Sequence, residues 1–289
     1  MLHRLILFFV ITFHIITIFP EFFSSALEVG LMKKAREKKI IDFVFIDLKK
    51  FGVGKHKVID DRPYGGGAGM VLRPEPIVSA LRSIDFRGNK RISILMSPSG
   101  KLLTQEKLEE LSSFSDIVIV CPRYEGVDER VKKFINEDIS IGDYVIHSGD
   151  VAALVIIEGV ARLKEGFMTT STKEEISFDI LDFPQFTHPK IFEDMVVPEI
   201  LLSGHHENIR RWRIEQSIKK TLERRPDLVL KFFIKRENQL NLTPEKKEMI
   251  KNYLFDISFY GNKRNELLDE EIFHLMLNYL TNIKELFSY

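Results

Sequence analysis

The chain has 289 residues, which is enough for two domains of ordinary size, and 44% of them are hydrophobic, as in globular proteins. Lys plus Arg and Asp plus Glu each total 42, so the formal net charge is zero and any nucleic-acid binding must come from local basic patches. Cys121 is the only cysteine, which excludes an intramolecular disulfide, and the scattered histidines supply no zinc site. We therefore expect a cytoplasmic protein without a structural metal.

The N-terminal stretch 5–19 is almost wholly apolar and follows Arg4. It has two interpretations: the start of a signal peptide, or a buried strand at 13–19 that ends at Pro20 and is preceded by an extension at 1–12. The stretch is short for a membrane-spanning helix. Its β-branched residues favour the strand, and we predict no membrane attachment.

Downstream, short apolar runs alternate with amphipathic stretches. The apolar runs predict strands at 13–19, 43–48, 92–96, 117–121 and 144–146, and the amphipathic stretches predict helices at 26–39, 76–83, 104–112 and 150–163. Thr104 and Asp150 are the expected N-caps of their helices. The strands at 92–96 and 117–121 are nearly continuous in apolar residues, as is typical of parallel strands covered on both faces. This alternation predicts an α/β domain with a mostly parallel sheet.

After the last of these helices the apolar periodicity lapses. Residues 165–177 are polar and predict an interdomain linker, so that the first domain spans 13–164. A second, smaller domain at 178–289 is helical in character and contains a long helix over about 206–225. Its last part, 255–289, is a C-terminal extension to which the sequence assigns no function.

Two glycine-bearing segments are similar to nucleotide-binding loops but lack required residues. The run at 65–69 is not the G-x-G-x-x-G of a dinucleotide-binding fold, because Met70 stands where the last glycine is needed. Gly100-Lys101 does not end a Walker A loop, because Leu102 stands where Ser or Thr is required. Both kinds of phosphate-binding loop are therefore excluded.

Three loops that carry glycine or proline lie at 96–101, 121–126 and 141–150, next to predicted strands. Each loop alone would be ordinary turn chemistry. In an open α/β sheet, however, loops at the carboxyl ends of strands gather around ligands, and small residues let backbone groups approach a flat molecule such as adenine. The three loops together predict a ligand site.

Five longer motifs stand in order along the chain. They lie at 60–70 (DDRPYGGGAGM), 123–130 (RYEGVDER), 140–144 (SIGDY), 201–206 (LLSGHH) and 210–213 (RRWR). In this order they resemble the bacterial tRNA (guanine-N1-)-methyltransferases, and the resemblance extends over about 13–254. It implies the SPOUT class, in which a deep trefoil knot holds S-adenosylmethionine in a bent conformation and an obligate homodimer forms the active sites at its interface. It also implies tRNA as the partner and the guanosine 3′ of the anticodon as the modified base.

The same resemblance implies an S-adenosylmethionine pocket built from the three loops. Its residues would be Met96, Ser97, Pro98, Gly100, Pro122, Tyr124, Glu125, Gly126, Ile141, Gly142, Tyr144, Ile146 and Gly149. The chain departs from the family at 147–150, where His-Ser-Gly-Asp replaces Ser-Gly-Gly-Glu, and at Ala152, where a proline is usual. Magnesium stays open as a second cofactor.

Methyl transfer to guanine N1 requires loss of the N1 proton, and a nearby carboxylate is the natural general base. The resemblance maps a catalytic arginine, which would stabilise negative charge near O6, onto Arg162. An alignment without gaps places the base at Glu174, which is our first choice. A gapped alignment leaves Glu175 or Asp179 as the nearest carboxylates, and the sequence does not decide between these acids.

Basic side chains crowd the helix predicted over about 206–225. Those expected to contact RNA are Arg210, Arg211, Arg213, Lys219 and Lys220. Such a density of positive charge favours binding to tRNA phosphates. Two other functions fit the same pattern: a knotted methyltransferase that acts on another RNA or on ribose, and a non-catalytic RNA-binding protein.

Overall fold

The computed structural model describes residues 10–168 and 180–236, together with 243–245, 248 and 252. The chain divides into two compact units, residues 1–169 and 170–289. Among the described residues, no helix combines the length and hydrophobicity that crossing a bilayer requires.

A five-stranded parallel sheet forms the centre of the first unit. Its strands are β1 (Ile11–Thr17), β2 (Ile41–Asp47), β5 (Arg91–Leu102), β6 (Asp116–Val120) and β7 (Glu137–Ser140), in the spatial order β2-β1-β6-β5-β7. Two short strands, β3 (Asp60–Asp61) and β4 (Val71–Leu72), form a separate antiparallel pair. The predicted α/β class with a mostly parallel sheet is confirmed.

Helices and short turns cover both faces of this sheet. The helices are α1 (Ser24–Leu27), α2 (Gly30–Glu37), α3 (Pro74–Arg82), α4 (Gln105–Leu111) and α5 (Gly149–Arg162). Helices α2, α4 and α5 contribute to one buried apolar cluster, and α3 contributes to a second one that contains the opposite side chains of β1, β5 and β6. Burial on both faces explains why the strand sequences are nearly continuous in apolar residues.

The central position of β1 settles the interpretation of the apolar N-terminal stretch. This strand pairs with β2 on one side and β6 on the other, and none of its residues is more than 1% exposed. The predicted strand is therefore confirmed, although it begins at Ile11, two residues earlier than expected, and ends at Thr17.

Three local predictions are wrong. Residues 144–146 form no strand, because they lie in the loop after β7. The sequence analysis did not predict β7 itself, because Glu137 and Asp138 interrupt the apolar pattern of this strand at the sheet edge. The helix predicted at 26–39 is divided into α1 and α2, and Gly30 adopts a φ of +58° at the break. Asp150 does not cap α5, because the helix begins one residue before it. Thr104 is a true N-cap, since its Oγ1 accepts a hydrogen bond from Lys107 N at 3.3 Å.

Between residues 180 and 236, the second unit contains helices α6 (His206–Arg224) and α7 (Pro226–Arg236) and a short hairpin. Helix α6 confirms the predicted long helix, and Pro226 begins α7. The hairpin pairs β8 (Ile191–Phe192) with β9 (Met195–Val196). One face of α6 is buried through Ile214, Ile218 and Leu222, whose four-residue spacing places them on one side of a helix.

A buried hydrogen bond joins β1 to the first residue of β6. His14 Nε2 lies 2.8 Å from Asp116 Oδ1, and both side chains are at most 1% exposed. Asp116 also accepts hydrogen bonds from the backbone N–H groups of Arg87 and Gly88 and from the Ser115 hydroxyl. Burial alone would raise the pKa of Asp116, but these hydrogen bonds together hold it below the ordinary aspartate value.

We expect Asp116→Asn to lower the free energy of unfolding by about 2–3 kcal/mol at neutral pH, because hydrogen bonds to a charged acceptor are lost. A carboxylate with a depressed pKa stabilises the fold above its unfolded pKa and loses this effect as the pH falls through its folded pKa. The difference in the free energy of unfolding between wild type and variant should therefore become smaller when the pH falls below the ordinary range of aspartate pKa values. Urea unfolding across pH, with the exposed Asp85→Asn as control, measures it; a difference that stays constant in acid would contradict the assignment.

Candidate functional site

A cavity of about 260 Å³ lies at the carboxyl ends of β5, β6 and β7. Its walls come from the three loops singled out in the sequence, together with the first turn of α5. All the predicted cofactor residues except Gly100 line this cavity. Further lining residues that the sequence analysis did not select are Arg123, Ile139, Ser140, Val145, His147, Ser148 and Ala152.

The first loop is an interruption within β5. Met96 and Lys101 both pair with Ile139 of β7, so that residues 97–100 bulge out of the sheet between them. Gly100 contributes to this geometry from behind the cavity. A Cβ at this position would lie 2.5 Å from the backbone N of Ile139, so the close approach of the two strands requires glycine.

The second loop follows β6 and is held by the glycine-rich motif. Tyr124 adopts a φ of +59°. Two backbone hydrogen bonds, each 3.0 Å long, join the loop to β4 and the residue before it: Glu125 N donates to Met70 O, and Leu72 N donates to Gly126 O. Gly69 packs directly on the side chain of Glu125. The motif at 60–70, which resembled no nucleotide-binding loop, therefore supports a wall of the cavity from outside.

The third loop runs from β7 to α5. Ser140 Oγ lies 3.1 Å from Gly142 O and 3.3 Å from Gly142 N, and the ring of Tyr144 fills the space that a side chain on Gly142 would need. The Tyr144 hydroxyl donates a hydrogen bond to Ile141 O at 3.2 Å. These contacts fold the loop back on itself and explain why the predicted strand at 144–146 does not form.

A buried carboxylate stands behind the cavity. Asp150 in the first turn of α5 is 0% exposed; its Oδ1 accepts a hydrogen bond from Thr17 Oγ1 at 2.6 Å, and its Oδ2 accepts from Arg123 Nε at 2.9 Å. The Arg123 guanidinium also lies 4.5 Å from the centre of the Phe19 ring. The end of β1, the second loop and α5 are thus joined at one point. The sequence analysis named Asp150 only as an expected N-cap. The sequence near it does not indicate that it contacts Thr17 and Arg123.

Cys121 has no catalytic chemistry here. It is 2% exposed, and burial, followed by the negative charge of Asp150, raises the pKa of its thiol well above the ordinary value. The thiolate is the nucleophilic form of cysteine. A covalent mechanism through Cys121 at neutral pH is therefore excluded.

Arg162 does not line the cavity of its own chain. Arg162 is exposed at the last position of α5, whereas Gly149 and Ala152 of its first turn line the cavity. A helix rises about 1.5 Å per residue, so the two ends of α5 are about 20 Å apart, farther than an arginine side chain reaches. Glu174, Glu175 and Asp179 lie outside the described residues.

The five residues of α6 that were predicted to bind RNA fall into two groups. Arg211 and Lys219 are exposed. The other three make contacts within the second unit: Arg210 with Glu207 at 3.5 Å, Arg213 with the Phe183 ring at 4.8 Å, and Lys220 Nζ with Asp182 O at 2.9 Å. Fewer cations of α6 are therefore exposed for RNA binding than the sequence suggested, because some of them hold the segment around Phe183 against the helix.

Comparison with known proteins identifies the family to which the chain belongs. The family model described as tRNA (Guanine-1)-methyltransferase TrmD matches residues 11–231. Curated proteins named tRNA (guanine-N(1)-)-methyltransferase are similar: that of Dictyoglomus turgidum is 46% identical over 81% of this chain and 96% of its own length. The protein of Treponema denticola is 46% identical over 76% of this chain and 90% of its own length. The protein of Synechocystis sp. is 43% identical over 75% of this chain and 94% of its own length. The chain belongs to the TrmD family of tRNA (guanine-N1-)-methyltransferases.

Proposed function

We propose that this protein transfers a methyl group from S-adenosylmethionine to N1 of the guanosine 3′ of the anticodon in tRNA, as a cytoplasmic homodimer. The observation that carries the proposal is the convergence of three glycine-bearing loops on one cavity at the carboxyl ends of the parallel strands, in a chain of the TrmD family. The first unit would be the methyltransferase domain and the second the tRNA-binding domain.

The cavity suits S-adenosylmethionine in shape and charge. Ile141, Ile146 and Ala152 offer apolar walls for the adenine, and the backbones of the three loops offer hydrogen-bonding groups. Because Arg123 is paired with Asp150, it presents no uncompensated positive charge to a cationic ligand. When bound, S-adenosylmethionine supplies a methyl group on a positively charged sulfur. The thirteen residues predicted from the sequence would hold it, with Gly100 acting through the backbone behind the cavity.

The contact between the second and third loops supports the proposed trefoil knot. Gly149 N donates a hydrogen bond to Pro122 O at 2.8 Å, and a Cβ on Gly149 would lie 2.6 Å from Pro122 Cδ. Two chain segments that pack this closely at the carboxyl edge are what a tightly drawn knot requires. Ser148, which stands where the family usually has glycine, adopts an extended backbone that any residue tolerates.

An exposed apolar surface beside the cavity supports the homodimer. Val145 is 90% exposed, and Tyr144, Val151 and Val155 are also exposed, on the third loop and on the outer side of α5. Exposed apolar side chains that cluster in this way are typical of protein–protein interfaces. We infer that a second copy of the chain covers this surface.

The position of Arg162 supports a composite active site. Since Arg162 lies about 15 Å along α5 from Ala152, the nearest residue of that helix to line the cavity of its own chain, it would serve the cavity of the partner chain. There its guanidinium would stabilise negative charge at guanine O6 as the N1 proton leaves. Glu174, or else Glu175 or Asp179, would accept that proton as general base.

The exposed cations of α6 would contact tRNA phosphates. Arg211 and Lys219 are free to do so by their exposure, and Arg210, Arg213 and Lys220 would add to the positive field while they hold the second unit together. Because the chain has no net charge, this local cluster has to supply the attraction.

The decisive assay compares two unmodified tRNA transcripts that differ only in carrying guanosine or adenosine 3′ of the anticodon. We expect labelled methyl groups from S-adenosylmethionine to enter only the guanosine transcript, with and without added magnesium compared in parallel, and nucleoside mass spectrometry to identify 1-methylguanosine. A 2′-O-methylated nucleoside, or methylation only of another RNA, would replace the proposal by a different methyltransferase activity. Tight tRNA binding without any transfer would indicate a binding protein.

We expect Gly149→Ala to weaken S-adenosylmethionine binding by about tenfold or more, because the added methyl group forces the backbone at Cys121 and Pro122 to move and overpacking of this kind costs 1–3 kcal/mol. Isothermal titration calorimetry measures the affinity. Glu165→Gln, an exposed substitution just after the same helix, is the matched control and should bind like wild type. Unchanged affinity in Gly149→Ala would show that the cofactor binds elsewhere.

Mixed dimers test whether Arg162 serves the partner chain. Arg162→Ala should be nearly inactive as a homodimer, and Gly149→Ala should be nearly inactive when S-adenosylmethionine is kept well below the dissociation constant of that variant. If Arg162 acts across the interface, a random mixture of the two chains should recover about a quarter of the wild-type activity, because half of the dimers are mixed and each contains one intact site. If Arg162 acts within its own chain, the mixture stays inactive, and the composite site is wrong.

A further inference from the structure

A second cavity, of about 1070 Å³, lies at the opposite edge of the sheet. Its lining includes Thr12, Ile41 and Asp116, which lie at the starts of β1, β2 and β6. The segments that precede β5 and β6 also line it. Since β1 has seven residues and a strand rises about 3.3 Å per residue, the two cavities are separated by about 20 Å. The second cavity plays no part in the proposed methyl transfer.

Positive charge predominates around this cavity. Its lining contains five basic side chains and two carboxylates, together with hydroxyl and amide groups that donate hydrogen bonds. The basic residues are Arg36, Lys39, Arg87, Lys90 and Lys164; the carboxylates are Asp42 and Asp116. In a chain with no net charge, this is a local concentration of cations.

The two carboxylates are already engaged. Asp42 accepts from both Arg36 Nε at 3.3 Å and Arg87 Nη1 at 2.5 Å. Asp116 receives four hydrogen bonds, from His14, the backbone of Arg87 and Gly88, and Ser115. The segment 87–90 is thereby fixed over the strand ends, and three lysines remain to determine the charge of the cavity.

None of these three lysines pairs with a carboxylate in the part of the chain that the structure describes. Lys164 is half-buried, its Nζ contacts only the Ser112 carbonyl at 3.4 Å, and burial lowers the pKa of its amine. Lys90 Nζ donates to Ser113 Oγ at 2.6 Å and lies 4.7 Å from the Phe114 ring. A half-buried ammonium group without a counter-charge is costly to maintain, and an anion in the cavity would offset that cost.

The backbone of Lys39 is a second, independent sign of function. Lys39 follows α2 with a φ of +56°, a conformation that glycine adopts at helix ends without strain and that a lysine adopts at a cost. Strained backbone of this kind is retained where the side chain is needed. Here it keeps a cation at the mouth of the cavity.

We propose that this cavity is a binding site for phosphate groups, separate from the methyl-transfer site. Lys39, Lys90 and Lys164 would bind the anion, and the side-chain amide of Asn89, which also lines the cavity, would donate a further hydrogen bond. Phosphate could come from a free phosphorylated metabolite or from the RNA backbone, and the chemistry of recognition is the same.

Calorimetric titration of the full-length protein with inorganic pyrophosphate tests the site. We expect binding by wild type and about tenfold weaker binding by the triple variant Lys39→Gly, Lys90→Gln, Lys164→Met, since each exposed or half-exposed ion pair contributes up to about 1 kcal/mol. The exposed Lys133→Gln is the matched control and should bind like wild type. Lys39→Gly alone should lose affinity while it is at least as stable as wild type, because it relieves the strained φ; this excludes misfolding as the cause.

Amide hydrogen exchange locates the bound pyrophosphate. Protection should appear at 87–90 and 112–115. If pyrophosphate does not bind wild type at concentrations up to about 10 mM, binds the triple variant equally well, or protects only other segments, the proposal is wrong.

The salt dependence of tRNA binding then identifies the source of the phosphate. If RNA is the ligand, the slope of log affinity against log salt should fall by about 0.7–0.9 for each phosphate contact that the triple variant loses. An unchanged slope with weakened pyrophosphate binding assigns the site to a free phosphorylated compound. If no tRNA binds at all, the proposed methyltransferase function fails, but the pyrophosphate titration still decides the present proposal.

Discussion

The carboxylate of Asp150 is the point on which the geometry of the cofactor cavity depends. It joins Thr17 at the end of β1, Arg123 in the loop after β6 and the first turn of α5, although these residues are up to 133 positions apart. A buried carboxylate is tolerated only when its charge is paired and its oxygens are hydrogen-bonded, and here both conditions are met. Because its partners come from three segments, the carboxylate fixes these segments relative to one another. The backbone contact between Gly149 and Pro122 follows from that arrangement.

The two edges of the same sheet differ in how their loops are stabilised. At the carboxyl edge, glycines and prolines allow backbones to approach closely, as between Gly100 and Ile139, and leave a cavity lined largely by main chain and apolar side chains. At the amino edge, Asp116 anchors the segment 87–90 through hydrogen bonds, and charged side chains line a larger cavity. Parallel strands place all the loops of one kind on one edge. One sheet can therefore carry two sites of different chemistry without interference.

Much of this arrangement could be predicted from the sequence, because it rests on local patterns. Apolar runs gave four of the five central strands, and glycine and proline marked the loops that meet at the cavity. Strand β7 was missed because Glu137 and Asp138, which pair with Lys107 and Lys132 at the sheet edge, break the apolar run. The partners of Asp150 were unpredictable, since nothing local indicates a contact with Thr17. The separation of Arg162 from the cavity could have been inferred from the length of the predicted helix, but the sequence analysis did not draw that conclusion.

That separation constrains the proposed dimer. In a twofold-symmetric pair, each contact occurs twice with the roles exchanged, so if Arg162 of one chain reaches the cavity at Gly149 of the other, the reverse contact must also exist. The two copies of α5 must then run antiparallel, with the symmetry axis near the middle of the helix. Val155 lies at that middle and is exposed, and Val151 and Val145 continue the same apolar surface toward the cavity. The apolar surface and the distant arginine, which are separate observations, therefore fit the same proposed packing of two chains, in which a single helix would hold the dimer together and deliver a catalytic group across it.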